Sequence, residues 1–156
     1  MNIGFLGVGF LPIEKLDFVP HVPKKRYSEI MRPYMKKLGG LGLDMMHRSC
    51  TVQANFDYIS ELDMKKKIMV SAALQPIVTG LFANSPFLEG QLNGFQSYRG
   101  YVWTKTDNDR TGILRSMVDE NFSFEEYVDY ALKVPVYSII RNGNYINCLD
   151  YNFEDL

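Results

Sequence analysis

The apolar and polar positions of this chain fall into short blocks punctuated by proline and glycine. Residues 2–10, NIGFLGVGF, are an apolar run that predicts a buried strand. Gly4, Gly7 and Gly9 within it do not spell G-x-G-x-x-G. Glycines inside a strand mark a bulge or a close approach of backbone. Residues 11–27 follow as a loop, with Pro12, Pro20 and Pro23 and the basic cluster Lys24, Lys25, Arg26. Ser28 is placed to cap a helix that runs to Leu38 and is stopped by Gly39 and Gly40. Pro33 should distort its first turns.

Residues 46–58, MHRSCTVQANFDY, alternate with period two and predict a strand. One face carries Cys50, Val52, Ala54 and Phe56, suited to packing against helices. The other carries Ser49, Thr51, Gln53, Asn55 and Asp57. A polar ladder of this kind is either the wet face of an antiparallel sheet or the floor of a ligand cavity. Its uncharged hydrogen-bonding groups suit the second reading, because solvated faces usually carry Lys and Glu. Ser60, with Asp63, then caps a helix to Phe82 that Pro76 should kink. Residues 84–97 read as loop, and 98–104 as a short strand with Arg99, Tyr101 and Trp103 on one face. TKTDNDRTG is a polar turn. Ser123 opens a capped helix to Leu132, and Asn142-Gly143 joins 134–141 to 144–149 as a hairpin. Asn152 and the acidic residues after it announce a further helix at the chain's end, as expected of a longer protein cut at that point.

The length of 156 residues suits one domain, and a hydrophobic fraction of 46% permits a core. Seventeen basic and eighteen acidic residues give a net charge of −1. That balance excludes a polyanion-coating protein, so no nucleic-acid partner is expected. No apolar run is long enough to span a bilayer, no membrane partner is expected, and no signal peptide is evident. Cys50 and Cys148 form no C-x-x-C, and His21 and His47 show no metal spacing. Reduced thiols in the cytoplasm, without a zinc site, are the expectation.

Most candidate chemistry has an ordinary structural reading. Arg99 near Tyr101 and Trp103 is either a surface cation–π cluster or a two-pronged carboxylate receptor. Asp107, Asp109, Arg110 and Thr111 could bind metal or phosphate, but the loop lacks the central glycine and closing glutamate of a calcium loop. Glu125 and Glu126 sit where a helix dipole favours them. There is no G-x-S-x-G and no Walker A loop. The residues alone describe an α+β domain with a polar cleft and no stated reaction.

Three longer stretches carry a resemblance. LGLDMMHRSCTVQANFD, SAALQPIVTGLFANSPFLEGQLNGFQSYR, and VWTKTDNDRTGIL followed by YVDYALKVPVY resemble consecutive signatures of the plant and proteobacterial glutamate–cysteine ligases. FLGVGFLP and KKRYSEIM fit the same register. Members of that family are considerably longer, so the resemblance implies that residues 1–156 are a single partial domain, the central segment of a catalytic domain. It implies a glutamine synthetase-like cradle: a curved, mainly antiparallel β-sheet with helices packed on one face and substrates and magnesium on the concave side. It also implies the reaction. ATP phosphorylates the γ-carboxylate of glutamate, and the cysteine amine attacks the γ-glutamyl phosphate to give γ-glutamylcysteine, the first step of glutathione biosynthesis. The small-molecule partners are then glutamate, cysteine and ATP, with Mg2+ as cofactor, because a transferring phosphoryl group needs positive charge.

Carried over by motif, Arg26 in KKRY, Thr51 in CTVQ and Tyr137 in PVY resemble positions lining the cysteine end of the pocket. Arg99 in FQSYR resembles the clamp on the glutamate carboxylate, with Trp103 as its support. Gln53 and Asn55 are added because a strand would place them on the face of Thr51. Arg110, in DRTG, is a candidate for phosphate. The family's metal-binding glutamates lie mostly before this segment, so no metal ligand is assigned here and the isolated chain is expected to be inactive. KKRY in place of KGRY, the glycine after Arg99 and the run LRSMVDE depart from the family pattern. Two other readings stay open: a non-catalytic amino-acid-binding domain, and a related carboxylate–amine ligase with a different acceptor.

Overall fold

The computed structural model describes residues 3–156. A loop containing the short 3-10 turn Leu16–Phe18 leads into a helix that starts as a π-helix, Arg26–Met31, and continues as α1, Arg32–Leu38. Pro33 lies in the first turn of α1, where its missing N–H leaves a hydrogen bond unmade, and the wide turns come just before it. Ser28 is inside the helix and not its cap, and its hydroxyl donates back to the carbonyls of Lys24 and Lys25. Gly39 ends the helix at φ 81°, as its sequence position suggested. Gly40, at φ 67°, passes so close to Lys105 that a Cβ there would stand 2.5 Å from its carbonyl oxygen. The next amide, of Leu41, donates to that same oxygen at 2.8 Å.

After this turn come α2, Gly42–Arg48; α3, Glu61–Leu81; the two-residue strands β1, Phe87–Leu88, and β2, Gln91–Leu92; α4, Tyr98–Trp103; α5, Phe124–Lys133; and the hairpin of β3, Ser138–Arg141, with β4, Asn144–Asn147. Ser60 caps α3 by accepting from the Asp63 amide, and Ser123 caps α5 by accepting from Glu126. Pro76 sits inside α3 without ending it. Asn142 and Gly143, at φ 51° and 76°, make the tight turn that pairs Arg141 with Asn144. Asn152 and Asp155 form a reciprocal cap on the closing 3-10 turn, Phe153–Asp155.

The α+β expectation holds, but the sheet is smaller than expected. Among the described residues the strands form two separate antiparallel hairpins, not one layer backed by helices. Three predicted strands account for the difference. Residues 3–10 are irregular, apart from one bridge between Phe10 and Ser49; Asn2 lies outside the described residues. The 46–58 segment divides: α2 takes it as far as Arg48, and 50–58 have no regular structure. A period-two pattern becomes a strand only when a neighbour accepts its backbone bonds, and no described strand lies beside it. Its apolar face is therefore uncovered, with Val52 fully and Phe56 three-quarters exposed. Residues 98–103 form α4, because Ser97 caps them and the i,i+4 pair Tyr98 and Val102 turns inward together.

The main cluster of buried residues lies where these elements meet. Phe10, Tyr98 and Val102 pack together with Leu41, Met45 and Leu88 around them. The Phe10 and Tyr98 rings meet edge to face at 5.0 Å. Buried Arg48 covers Phe10, is paired with Asp44, and reaches Glu89 and the Glu14 carbonyl. This cluster fixes α4 against α2 and the 84–97 loop, and so fixes Arg99.

Candidate functional site

A cleft of about 1280 Å³ lies between the 5–9 segment, the start of the 50–58 segment, α3, α4 and the 108–113 turn. Arg99 enters it from the first turn of α4. Its amide donates to the Ser85 hydroxyl at 3.1 Å, and Ser85 is itself buried and tied to Gln96 and Tyr98. Gly9 explains how the side chain fits: a Cβ there would meet Asn84 Oδ1 at 2.6 Å and Arg99 Cδ at 3.5 Å. The close approach expected of these glycines is real at Gly9, whereas Gly4 and Gly7 have open space around them. The Arg99 guanidinium lies 5.9 Å from the Trp103 ring centroid, one helical turn on. Tyr101, expected on the same face, points elsewhere and stacks on Phe95.

Two features give the cleft its chemistry. Arg99 is the only charged residue among the described residues that line it. Its Nε is buried and has no hydrogen-bond partner among them. A buried donor without a partner costs about 1–3 kcal/mol, and an anionic ligand would remove that cost. Thr51 lines the same cleft, with its hydroxyl turned to the Val52 carbonyl at 3.1 Å. Gln75 and Thr79 from α3, with Asn84, Ser97, Thr104, Asn108 and Thr111, complete its polar lining. Of these, sequence reasoning had named only Thr111, as a metal or phosphate candidate. The signal was present for two: Gln75 and Thr79 are polar residues one turn apart in an otherwise apolar stretch of helix.

The other residues singled out from sequence stand elsewhere. Gln53 and Asn55 are exposed outside the cleft and bond to each other at 2.8 Å. Arg26 is exposed and donates to the Tyr27 hydroxyl at 2.9 Å. Arg110 and Tyr137 form a cluster of their own with Asp107 and Tyr34 behind the 107–111 turn. Arg110 Nη1 reaches Asp107 Oδ2 and the Tyr34 hydroxyl, each at 2.9 Å, and its Nε reaches the Pro135 carbonyl at 2.8 Å. Burial opposes its charge, yet the bonds with Tyr34 and Asp107 outweigh burial and raise its pKa. Burial, followed by the Asp107 carboxylate, pushes the Tyr137 phenol well above its ordinary value. His21 and His47, far apart in sequence, meet with their Nδ1 atoms 3.4 Å apart.

The glutamate–cysteine ligase family 2 profile matches residues 1–155. The chain belongs to this family. It is 57% identical over 154 residues to the chloroplastic glutamate–cysteine ligase of Brassica juncea, 56% over 155 to chloroplastic glutamate–cysteine ligase B of Oryza sativa subsp. japonica, and 56% over 154 to the chloroplastic enzyme of Arabidopsis thaliana. Each alignment covers 99% of this chain and 29% to 31% of the relative. The chain thus spans about 30% of the length of the glutamate–cysteine ligases that it matches. All three relatives are named as chloroplastic, which overturns the cytoplasmic expectation and points to the chloroplast. Cys50 and Cys148 are free thiols, which does not distinguish one compartment from another.

Magnesium does not fit the described residues of this ligase segment. Among them no three His, Cys, Asp or Glu side chains gather to hold a metal. The two buried carboxylates, Asp44 and Asp107, are already paired with Arg48 and Arg110.

Proposed function

We propose that this chain supplies the glutamate-binding wall of an ATP-dependent glutamate–cysteine ligase, which makes γ-glutamylcysteine through a γ-glutamyl phosphate. Its helices and hairpins are the central, partial domain of a glutamine synthetase-like cradle. The observation that carries the reading is Arg99: the only charged residue among the described residues that line the cleft, held by its backbone, with a buried Nε that has no partner among them. A guanidinium in that state binds a carboxylate through two parallel hydrogen bonds and fixes its orientation. Thr51, in the same cleft, belongs to the acceptor end, and Tyr137 and Arg26, which stand outside this cleft, complete that end in the whole ligase. Arg110 serves as a strut, because its donors are occupied by Asp107, Tyr34 and Pro135. The carboxylates for magnesium and the groups handling the phosphoryl transfer belong to other parts of the ligase, so this segment binds and orients substrate.

The reading is tested by grafting residues 1–156 into the Brassica juncea ligase in place of its matching segment and offering a panel of amino acids with ATP. Turnover with glutamate as donor and cysteine as acceptor is expected. Preference for another acceptor would make the chain part of a sister carboxylate–amine ligase. Binding of glutamate without ADP formation would make it a binding domain.

A further inference from the structure

Asp107 is buried to 1% exposure in a polar turn whose next two residues, Asn108 and Asp109, are exposed. Its side chain and its backbone both hold neighbours. Oδ2 accepts from the Tyr137 hydroxyl and from Arg110 Nη1, each at 2.9 Å. Its carbonyl accepts from the amides of Arg110 and Thr111, at 3.1 and 2.8 Å, and from the Thr111 hydroxyl at 2.7 Å. Thr111 and Asn108, on the far side of the same turn, line the Arg99 cleft. The Arg110 guanidinium lies 4.3 Å from the Tyr137 ring centroid and 5.0 Å from that of Tyr34, so the phenol is clamped by its ring as well as by its oxygen.

The direction of one hydrogen bond matters. A carboxylate oxygen that faces a guanidinium can only accept, so Tyr137 has to donate its single proton to Asp107. The phenol oxygen is then left with acceptor capacity alone. We propose that Asp107 is a positioning residue that fixes Tyr137 as a pure hydrogen-bond acceptor toward an N–H or S–H of the amino-acid acceptor substrate. The inference rests on the reading that Tyr137 lines the acceptor end of the pocket. Its chemical consequence concerns the attacking amine. A tyrosine free to rotate could donate its proton to the amine nitrogen and occupy the lone pair that attacks the acyl phosphate. A tyrosine held by Asp107 takes an N–H instead and leaves that lone pair free.

The test is a double-substitution cycle in the grafted enzyme, with Asp107→Asn, Tyr137→Phe and the pair, read as the KM for cysteine and for glutamate. Each single substitution should raise the cysteine KM about tenfold, which corresponds to about 1.4 kcal/mol, and change the glutamate KM less than about twofold. The pair should be no worse than either single, because both remove the same interaction. Additive effects, or equal shifts for both substrates, would overturn the inference and reduce Asp107 to a fold-maintaining residue. A cysteine KM unmoved by Tyr137→Phe alone would remove the underlying reading of Tyr137. A KM moved by Tyr137→Phe but not by Asp107→Asn would remove only the positioning role. Should Asp107→Asn fail to fold, the unsubstituted chain labelled with 13C at Tyr137 decides. Its ring carbon should titrate above the other tyrosines, and titration with them, near about pH 10, would contradict the bond to Asp107.

Discussion

The guanidinium of Arg99 lies 5.9 Å from the centroid of the Trp103 indole, while its Nε is buried without a partner among the described residues. The pair is one turn apart on α4, so the ring limits where the guanidinium can swing and leaves its donors for a ligand. Arg99→Lys keeps the charge and loses the planar fork. With charge-assisted bonds contributing about 1.5–3 kcal/mol each, glutamate should bind about ten- to a hundredfold more weakly in the grafted enzyme. The KM for cysteine and ATP should move much less. A purely superficial cation–π arginine would leave glutamate kinetics unchanged and cost under about 1 kcal/mol of stability. Steady-state kinetics with glutamate varied separates the two.

The burial of His47 against His21 makes stability depend on pH. Burial, then His21, then Arg32 of α1 lower the His47 pKa, and only Asp44 on its own helix opposes them. The charged form is therefore disfavoured in the folded chain. For a depressed histidine the stabilising contribution is complete above the unfolded value, about 6.5, and is lost as pH falls below it. Thermal melts between about pH 7.5 and 5.5 should show the unsubstituted chain losing stability relative to His47→Leu. Parallel curves for the two would refute the coupling.

Gly40 tests the turn between α1 and α2. Alanine there adopts a left-handed conformation at a cost of about 1–2 kcal/mol, and its methyl meets the Lys105 carbonyl at 2.5 Å. Overpacking of that sort costs about 1–3 kcal/mol more. Urea denaturation of Gly40→Ala should show a loss of at least about 2 kcal/mol. Gly4→Ala, with nothing within 4 Å of the added methyl, serves as the control and should be nearly silent.

The isolated chain should be weakly stable and prone to associate. Its accessible surface is 11697 Å², where a compact monomer of this length exposes about 8000 Å². Leu62, Val70, Ile77 and Leu81 of α3 are all more than half exposed, as are Phe82 just after it and Phe5, Val52 and Phe56. Apolar surface on that scale marks an interface. Light scattering should show concentration-dependent association, and the melt should lie below about 60 °C. A sharp reversible transition of a monomer above that temperature would show that the exposed face needs no cover.

What was legible in the sequence was local. Ser60 and Ser123 as caps, Gly39 as a stop and Asn142-Gly143 as a tight turn are each written in a few adjacent residues, and each formed as read. Strands depend on partners that the pattern does not name, so 3–10 shows the apolar run and 50–58 the alternation without the ladder. Residues 98–103 fit two periods at once: Arg99, Tyr101 and Trp103 alternate, while Tyr98 and Val102 are one helical turn apart, and the cap at Ser97 decided for the helix. Resemblance and geometry both put Thr51 and Arg99 at one cleft, whereas Gln53 and Asn55 depended on a strand that did not form. The Asp107–Tyr137 bond spans thirty residues and leaves no trace in any local pattern.

The central claim, that these residues bind and orient glutamate for ligation to cysteine, is tested most directly by product formation in the grafted Brassica juncea enzyme. With glutamate, cysteine and Mg-ATP it should release γ-glutamylcysteine and ADP in equal amounts, and the same graft carrying Arg99→Ala should lose that activity while keeping its fold by circular dichroism. A folded graft that makes no product above a no-enzyme control, or one whose turnover is untouched by Arg99→Ala, would contradict the account.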